Sequence, residues 1–258
     1  MSFRHAPQCL RDCPALWLLP TDVVTSPRMP PRFHCTPPEA VAETVRETVF
    51  VDDYTFRIDR PAEGDKLLDH PWCRSAYAAD DYVPYWPTLW PSARMLAKAV
   101  LREPWDTYPQ PVEVLEIGCG LGLAGVACLA KGLQVTFSDV DETALTFAAR
   151  NARLNGFSRG FTTRPVDFRC PPDDEKYGVV IGSDLMYEER LVEPLVHLLE
   201  SVLAPGGVCL IADPDRLPAR VFRWKLEEAG YSVTPDFARA GEPGGERTKG
   251  TIYRIRRI

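Results

Sequence analysis

Five residues within one stretch of chain are spaced to hold a charged nucleoside: Glu116, Gly118, Gly120, Gly122 and Asp139. Glycine lets a backbone approach a ligand where a Cβ would collide. An acid that closes the next strand can accept hydrogen bonds from both ribose hydroxyls. Asp139 falls 19 residues after Gly120, near the separation of about 20 that such an acid takes. A dinucleotide fingerprint, G-x-G-x-x-G, needs a third glycine where this chain has Leu123. The glycines here read G-x-G-x-G behind Glu116. A pyrophosphate favours the former spacing, whereas an acid beside the loop suits a ligand that carries positive charge.

These residues need a scaffold. Val112–Ile117 is an apolar run that predicts a strand, Leu121–Ala130 predicts a helix with Gly132 as its C-cap, and Gln134–Ser138 predicts a second strand ending on Asp139. Asp141 is positioned to N-cap a helix over Glu142–Asn155. Thr162–Phe168 predicts a third strand that carries Asp167 at its end. Tyr177–Ser183 is almost continuously apolar, as a strand buried on both faces would be. A helix over Glu188–Leu203, a strand over Gly207–Ala212 and a helix over Pro218–Ala229 follow, and Tyr231–Pro235 with Gly250–Arg256 make a closing antiparallel pair. Upstream, Ser92 is the expected N-cap of one more helix. Glu43–Val51 and Tyr54–Asp59 alternate around Asp52-Asp53 as a hairpin does, which gives either a flap over a substrate mouth or an accessory edge. Strands alternating with helices predict an α/β fold, a Rossmann-like, doubly wound, mainly parallel sheet with an antiparallel closing strand and an N-terminal β-hairpin extension.

E-I-G-C-G-L-G, with D-V-D-E-T-A-L and N-A-R-L-N-G behind it, resembles motif I and the next segment of the class I S-adenosylmethionine-dependent methyltransferases. The likeness runs from about Tyr82 to the C-terminus. It implies S-adenosyl-L-methionine as cofactor, whose amino group and sulfonium supply the positive charge. P-Y-W-x-x-L-W-P-S-A, just ahead, resembles the tryptophan-proline segment of the small seven-β-strand protein-lysine methyltransferases, including the electron-transfer-flavoprotein and calmodulin lysine methyltransferases. In that branch the segment lies along the cofactor, which implies Trp90 first and Trp86 second. The same resemblance implies that Asp167 contacts the adenine amino group and that Phe168 lies against the ring.

The four residues after the fourth strand, Asp184-Leu185-Met186-Tyr187, decide among reactions. Methyltransferases acting on adenine or glutamine amino groups carry Asn/Asp-Pro-Pro-Tyr/Phe there, and this chain has no proline in those positions. D-x-x-Y resembles the lysine-directed branch, and Asp213-Pro214-Asp215-Arg216 resembles the D-P-x-R segment of the electron-transfer-flavoprotein enzyme. Cys170 precedes the fourth strand, the wrong side for a cytosine-methylating nucleophile. A lysine acceptor poses an energetic problem: from a solution pKa near 10.4, its neutral amine lies about 4.6 kcal/mol above the ammonium at pH 7. A dry aromatic mouth lowers that cost by desolvating the cation. Carboxylates are poor proton sinks for an ammonium, so Asp184 is assigned to orient the amine, with Tyr187 as a wall and hydrogen-bonding partner.

The totals agree with one enzyme domain and an appendage. The chain has 258 residues, 45% hydrophobic and 26% charged, with net charge −6, so nucleic acid is not an expected partner. The eight cysteines form no paired framework and read as reduced. No apolar run is long enough for a membrane span, and Ala15–Leu19 is too short and proline-bracketed for a signal peptide. A cytoplasmic protein is expected. Residues 1–38 hold eight of the 25 prolines and read as a mobile tail, or as sequence upstream of a start at Met29. His5, Cys9 and Cys13 lack a fourth ligand at zinc-like spacing, so no metal is expected. Residues 39–79 form the hairpin extension and 80–258 the methyltransferase domain. Three other functions share some of these features: an enzyme of the ribosomal-protein-L11 type or a small-molecule amine methyltransferase, a nicotinamide-dependent oxidoreductase, and a non-catalytic cofactor-binding module.

Overall fold

The computed structural model describes residues 32–172, 175–241, 245 and 247–257. His5, Cys9, Cys13, Ala15–Leu19 and Met29 lie outside the described residues. In chain order the elements are β1 (Thr44–Val51), β2 (Tyr54–Pro61), α1 (Pro71–Asp80), α2 (Pro91–Arg102), β3 (Glu113–Ile117), α3 (Leu123–Ala130), β4 (Gln134–Asp139), α4 (Glu142–Leu154) and β5 (Phe161–Pro165). They continue as β6 (Tyr177–Ser183), α5 (Val192–Val202), β7 (Leu203–Asp213), α6 (Leu217–Glu228), β8 (Tyr231–Ala240) and β9 (Thr248–Arg257).

Seven strands form one sheet in the order β5-β4-β3-β6-β7-β9-β8, and β1 pairs with β2 in a separate hairpin. All pairings in the large sheet are parallel except those of β9, which runs antiparallel to both β7 and β8. This is the expected doubly wound sheet with an antiparallel closing strand. Strand side chains alternate between faces. Val114, Val179, Ile181, Val208 and Leu210 therefore pack in the core beneath α2, α3 and α4, while Leu115, Ile117, Val180, Cys209 and Ile211 pack beneath α5 and α6. Because β3 and β6 are neighbours, with β4 and β7 outside them, the strand order turns outward in both directions from β3 and β6. That opens a crevice at their carboxyl ends.

Several boundaries differ from expectation. Pro91 is the first residue of α2 and Trp90 its N-cap, so Ser92 sits inside the helix; proline, lacking an N–H, costs nothing in a first turn. The segment 71–80, read only as extension, is helix α1. Asp167 lies just past β5 rather than within it. The closing strands β8 and β9 reach to Ala240 and back from Thr248, shortening the expected loop. The chain from residue 32 onward is not a free tail. His34 N–H donates to Val140 O (2.9 Å), Glu142 N–H donates to His34 O (2.9 Å), and Thr36 Oγ1 donates to Asp141 Oδ2 (2.7 Å).

The hairpin packs against α2 and α4. The fully buried Asn151 on α4 accepts the Asp59 N–H (2.8 Å) and donates to Asp59 O (3.1 Å) and to Leu121 O (2.9 Å). No residue of β1 or β2 borders the cavity described below, so the hairpin is an accessory layer and not a flap over the mouth. No helix among the described residues is long and apolar enough to cross a membrane.

Candidate functional site

A cavity of about 390 Å³ opens at the carboxyl ends of the central strands. Trp86, Trp90, Gly118, Gly120, Gly122, Asp139, Asp167, Phe168, Asp184 and Tyr187 all border it. Glu116 is absent from the lining residues.

The glycine loop connects β3 to α3, and three of its residues take a left-handed backbone: Gly118 (φ 58°), Gly120 (φ 50°) and Gly122 (φ 78°). A side chain would also collide there. A Cβ on Gly118 would stand 2.6 Å from Leu185 Cδ2, and one on Gly122 would stand 2.8 Å from Ala148 Cβ. The loop is glycine because the protein packs against it, as well as for any ligand.

Glu116 caps the helix. Its side chain is buried beneath the loop, and Oε2 accepts the N–H of Gly125 (3.0 Å), the third residue of α3. A carboxyl group there satisfies a helix donor that has no partner within the helix. Burial pushes its pKa up to about 8, against the lowering effect of the Gly125 hydrogen bond. Glu116 is therefore largely neutral at pH 7 and faces α3, not the cavity, which corrects the expectation that it meets a cationic ligand.

Asp139 ends β4 and borders the cavity. Its Oδ2 accepts Gly120 N–H (2.9 Å) and its Oδ1 accepts Asp141 N–H (3.1 Å), which holds the carboxylate against the glycine loop. Burial raises its pKa to about 6, partly offset by these backbone donors. As expected, Asp141 N-caps α4, accepting Thr143 N–H (2.8 Å). It also receives the hydroxyls of Thr36 and Tyr82, each at 2.7 Å.

Asp167 lies past β5, but its carboxylate is already engaged. Arg169 donates to it from its backbone N–H (3.0 Å), its Nε (2.8 Å) and its Nη2 (2.8 Å), and Arg32 N–H adds a fourth donor (3.2 Å). Burial alone would raise its pKa, yet these Arg169 contacts hold it below the ordinary aspartate value. The half-buried Phe168 ring lies beside Gly118.

Asp184 follows β6 with a left-handed backbone (φ 57°) that few non-glycine residues adopt. Arg216 Nη2 lies 2.7 Å from its Oδ1, while its buried Oδ2 has no hydrogen-bond partner. Arg216 also reaches Asp213 Oδ2 (3.2 Å). Three rings gather at this end. Tyr187 meets Tyr85 edge-on with centroids 5.1 Å apart, and Tyr85 meets Trp90 edge-on at 6.2 Å. Tyr187 is 42% exposed, and desolvation followed by the charge of Asp139 pushes its hydroxyl up to about 12, so it stays a neutral donor. Trp86 is buried, its indole N–H donating to Thr36 Oγ1 (3.1 Å) and its ring against Phe147 (5.1 Å).

Sequence reasoning missed Arg169, Tyr82, Tyr85 and residues 32–36. Arg169 had a signal, since a base two residues after a buried acid can fold back on it. Tyr85 lay inside the quoted P-Y-W segment, whereas the contacts of Tyr82 and of residues 32–36 join segments far apart in the chain and left none.

A family model described as lysine methyltransferase matches residues 87–221. The electron transfer flavoprotein beta subunit lysine methyltransferase of Danio rerio is 27% identical over 135 residues, covering 52% of this chain and 51% of the relative. This chain thus spans about half the length of that relative. The ribosomal protein L11 methyltransferase of Syntrophotalea carbinolica is 36% identical over 119 residues, covering 45% of this chain and 37% of the relative. Among solved structures, the glycopeptide N-methyltransferase MtfA complexed with (S)-adenosyl-L-methionine aligns with a TM-score of 0.51 at 15% identity, over 63% of this chain and 94% of that one, a likeness of fold.

Proposed function

The chain belongs to the lysine methyltransferase family, and from that premise we propose that it is an S-adenosylmethionine-dependent N-methyltransferase whose acceptor is a lysine side chain of a protein. The observation that carries the acceptor reading is the Asp184 carboxylate at the end of β6, which borders the cavity together with Tyr85, Trp90 and Tyr187. A carboxylate at the cavity wall suits an N–H donor, and aromatic faces suit a cation that must lose its water.

The residues fit the cofactor. The cavity wall holds five aspartates (80, 81, 139, 167 and 184) against three arginines (169, 190 and 216), an acidic balance that suits a sulfonium and an ammonium. Asp139, ionised above its pKa of about 6, has acceptor capacity beyond its two backbone donors for the ribose hydroxyls. Trp90, Trp86 and Phe168 are proposed to line the cofactor, and Gly118, Gly120 and Gly122 to pass beneath it. Glu116 contributes by holding the start of α3.

S-adenosylmethionine, when bound, supplies an electrophilic methyl group on a cationic sulfur. The protein's share is placement. Asp184 takes one N–H of the entering amine and turns the nitrogen lone pair toward the methyl carbon, which secures the near-attack geometry of an in-line displacement. Tyr85, Trp90 and Tyr187 exclude water from the amine and lower the cost of its neutral form. The amine proton leaves to solvent, because a carboxylate is too weak a base to hold it.

The 36% identity to an L11 methyltransferase favours a second reading, in which the acceptor is an amine of that type of substrate. An oxidoreductase is set aside by the family. Incubating the protein and methyl-labelled S-adenosylmethionine with cell lysate tests the proposal. Label recovered as methyllysine in protein supports it; label only in small molecules sinks the protein-lysine reading.

A further inference from the structure

Helix α6 starts at the cavity: Arg216 is its N-cap and borders the site. Down one face of the helix run Leu217, Arg220 and Trp224, spaced i, i+3, i+7. Arg220, Arg223 and Trp224 line an open groove with Pro235, Phe237 and Tyr253 of the β8–β9 pair. Phe237 is 93% exposed and Leu217 75%, the two most exposed large apolar side chains among the described residues, and Trp224 is 55% exposed. Scattered exposed apolar residues need no explanation, but a gathered patch with a polar rim marks a binding surface.

The rim is basic, in a chain whose net charge is −6. Arg223 pairs with Glu227 (2.8 Å), whereas Arg220 has no ion pair among the described residues. On the β8–β9 ladder Arg239 stands directly opposite Lys249; both are exposed, and neither has an ion pair among the described residues. Alternation puts both on the face that carries Phe237. Like charges directly opposite each other destabilise a sheet, and an anion on this face offsets them. Phe237 pairs with Thr251, and Thr251 with Asp213, so Phe237 stands two strand spacings, about 10 Å, from the end of β7. Thr251 Oγ1 donates to Asp215 Oδ1 (2.7 Å), next to Arg216. A single turn, residues 213–216, thus lies between groove and cavity.

We propose that this groove docks the protein acceptor through an acidic segment that bears a large apolar side chain and lies close in sequence to the methylated lysine. The inference rests on the protein-lysine reading above. Arg220, Arg239 and Lys249 meet the carboxylates of the segment, and Trp224 and Phe237 cover its apolar side chain. An extended chain advances about 3.3 Å per residue, so with the lysine in the cavity the docked residues lie about three to six positions away. The same cations repel a basic flank, so the groove selects among lysines that would fit the cavity equally well.

The probes are two synthetic peptides, each with one central lysine, given to the full chain with methyl-labelled S-adenosylmethionine. One carries Asp-Phe-Glu about four residues to either side of the lysine, and the other Arg-Phe-Arg at the same places. Wild type should methylate the acidic peptide with a kcat/KM at least about tenfold higher. Arg220→Glu should cut that ratio below about threefold. Phe237→Ser should raise the KM for the acidic peptide several-fold and leave kcat and S-adenosylhomocysteine affinity unchanged, as docking away from the reacting atoms requires. Both substituted side chains are exposed, so the fold does not depend on them. Equal rates for the two peptides in wild type, or a preference that both variants keep, overturns the inference and leaves the lysine reading intact. So does a wild type that labels lysine in lysate proteins but neither peptide. Label in small molecules alone removes the protein-lysine reading, and the inference with it. A full chain that sediments as a dimer, and as a monomer in Phe237→Ser, gives the groove to a second copy and overturns the inference.

Discussion

Arg216 Nη2 sits 2.7 Å from Asp184 Oδ1, and the partner oxygen of the same carboxylate has no donor. The arginine fixes the carboxylate that is proposed to meet the entering amine. Asp184→Asn keeps the shape and removes the charge. Methyl transfer should fall by about a hundredfold or more, the scale for losing one preorganised electrostatic contact, while cofactor affinity changes by less than about threefold. Single-turnover assays and calorimetry measure the two separately. A wild-type rate in this variant would remove Asp184 from the reaction.

Cofactor affinity should follow the ionisation of Asp139. Burial raises its pKa to about 6, so the carboxylate proposed to accept ribose hydroxyls is present above that pH and lost below it. Binding of S-adenosylhomocysteine at pH 5 should be about tenfold weaker than at pH 8. Asp139→Ala should lose most of the affinity at both pH values. A pH-independent wild-type constant contradicts the ribose contact.

Glu116 gives the apoprotein an unusual pH dependence. Its native pKa of about 8 lies above the ordinary 4.5, so the folded state keeps a proton that the unfolded chain releases. Stability from this group is full below pH 4.5 and is lost as pH rises through 8. Between pH 6 and 7 the slope approaches about −1.4 kcal/mol per pH unit, and it falls to about half that at pH 8. Asp139 acts in the same direction, but only up to about pH 6. Glu116→Gln still offers an oxygen to Gly125 N–H and should flatten the curve between pH 6 and 8, read by urea unfolding. An equal slope in wild type and variant would show that the carboxyl does not hold its proton.

The hairpin should matter to the site indirectly, through Asn151, which ties Asp59 to Leu121 O, because no hairpin residue borders the cavity. Asn151→Ala strips buried hydrogen bonds from Asp59 and from Leu121 O, within the glycine loop. Unmet buried backbone groups cost about 1–3 kcal/mol each. The variant should melt well below wild type and bind cofactor more weakly, by calorimetry. Weak binding without a lower melting temperature would point to a direct role instead.

Tyr187→Phe separates wall from hydroxyl. The ring should keep its edge-on contact with Tyr85, so the acceptor KM should change little, and any fall in kcat reports the lost hydroxyl. Tyr187→Ala should raise KM by several-fold as well. Identical kinetics in all three proteins would leave Tyr187 as packing.

The local pattern of the chain determined the strand, glycine loop, helix and second strand from Val112 to Asp139, because those interactions join near neighbours. It also determined Asp141 as a cap, and it carried the family resemblance that the lysine methyltransferase match supports over residues 87–221. One misreading was avoidable. Glu116 alternates with Val114 on β3, and Val114 faces α3, so strand parity already aimed the carboxyl at the helix layer. Tertiary structure alone decided the rest. His34 and Thr36 meet Asp141 across more than 100 positions, Arg169 meets Asp80 across 89, and the aromatic ring pair joins Tyr85 to Tyr187. The partners of a carboxylate are set by which loops close over it. Whether an acid in this cavity is free for a ligand or spent on an arginine follows from packing that no periodicity in the chain encodes.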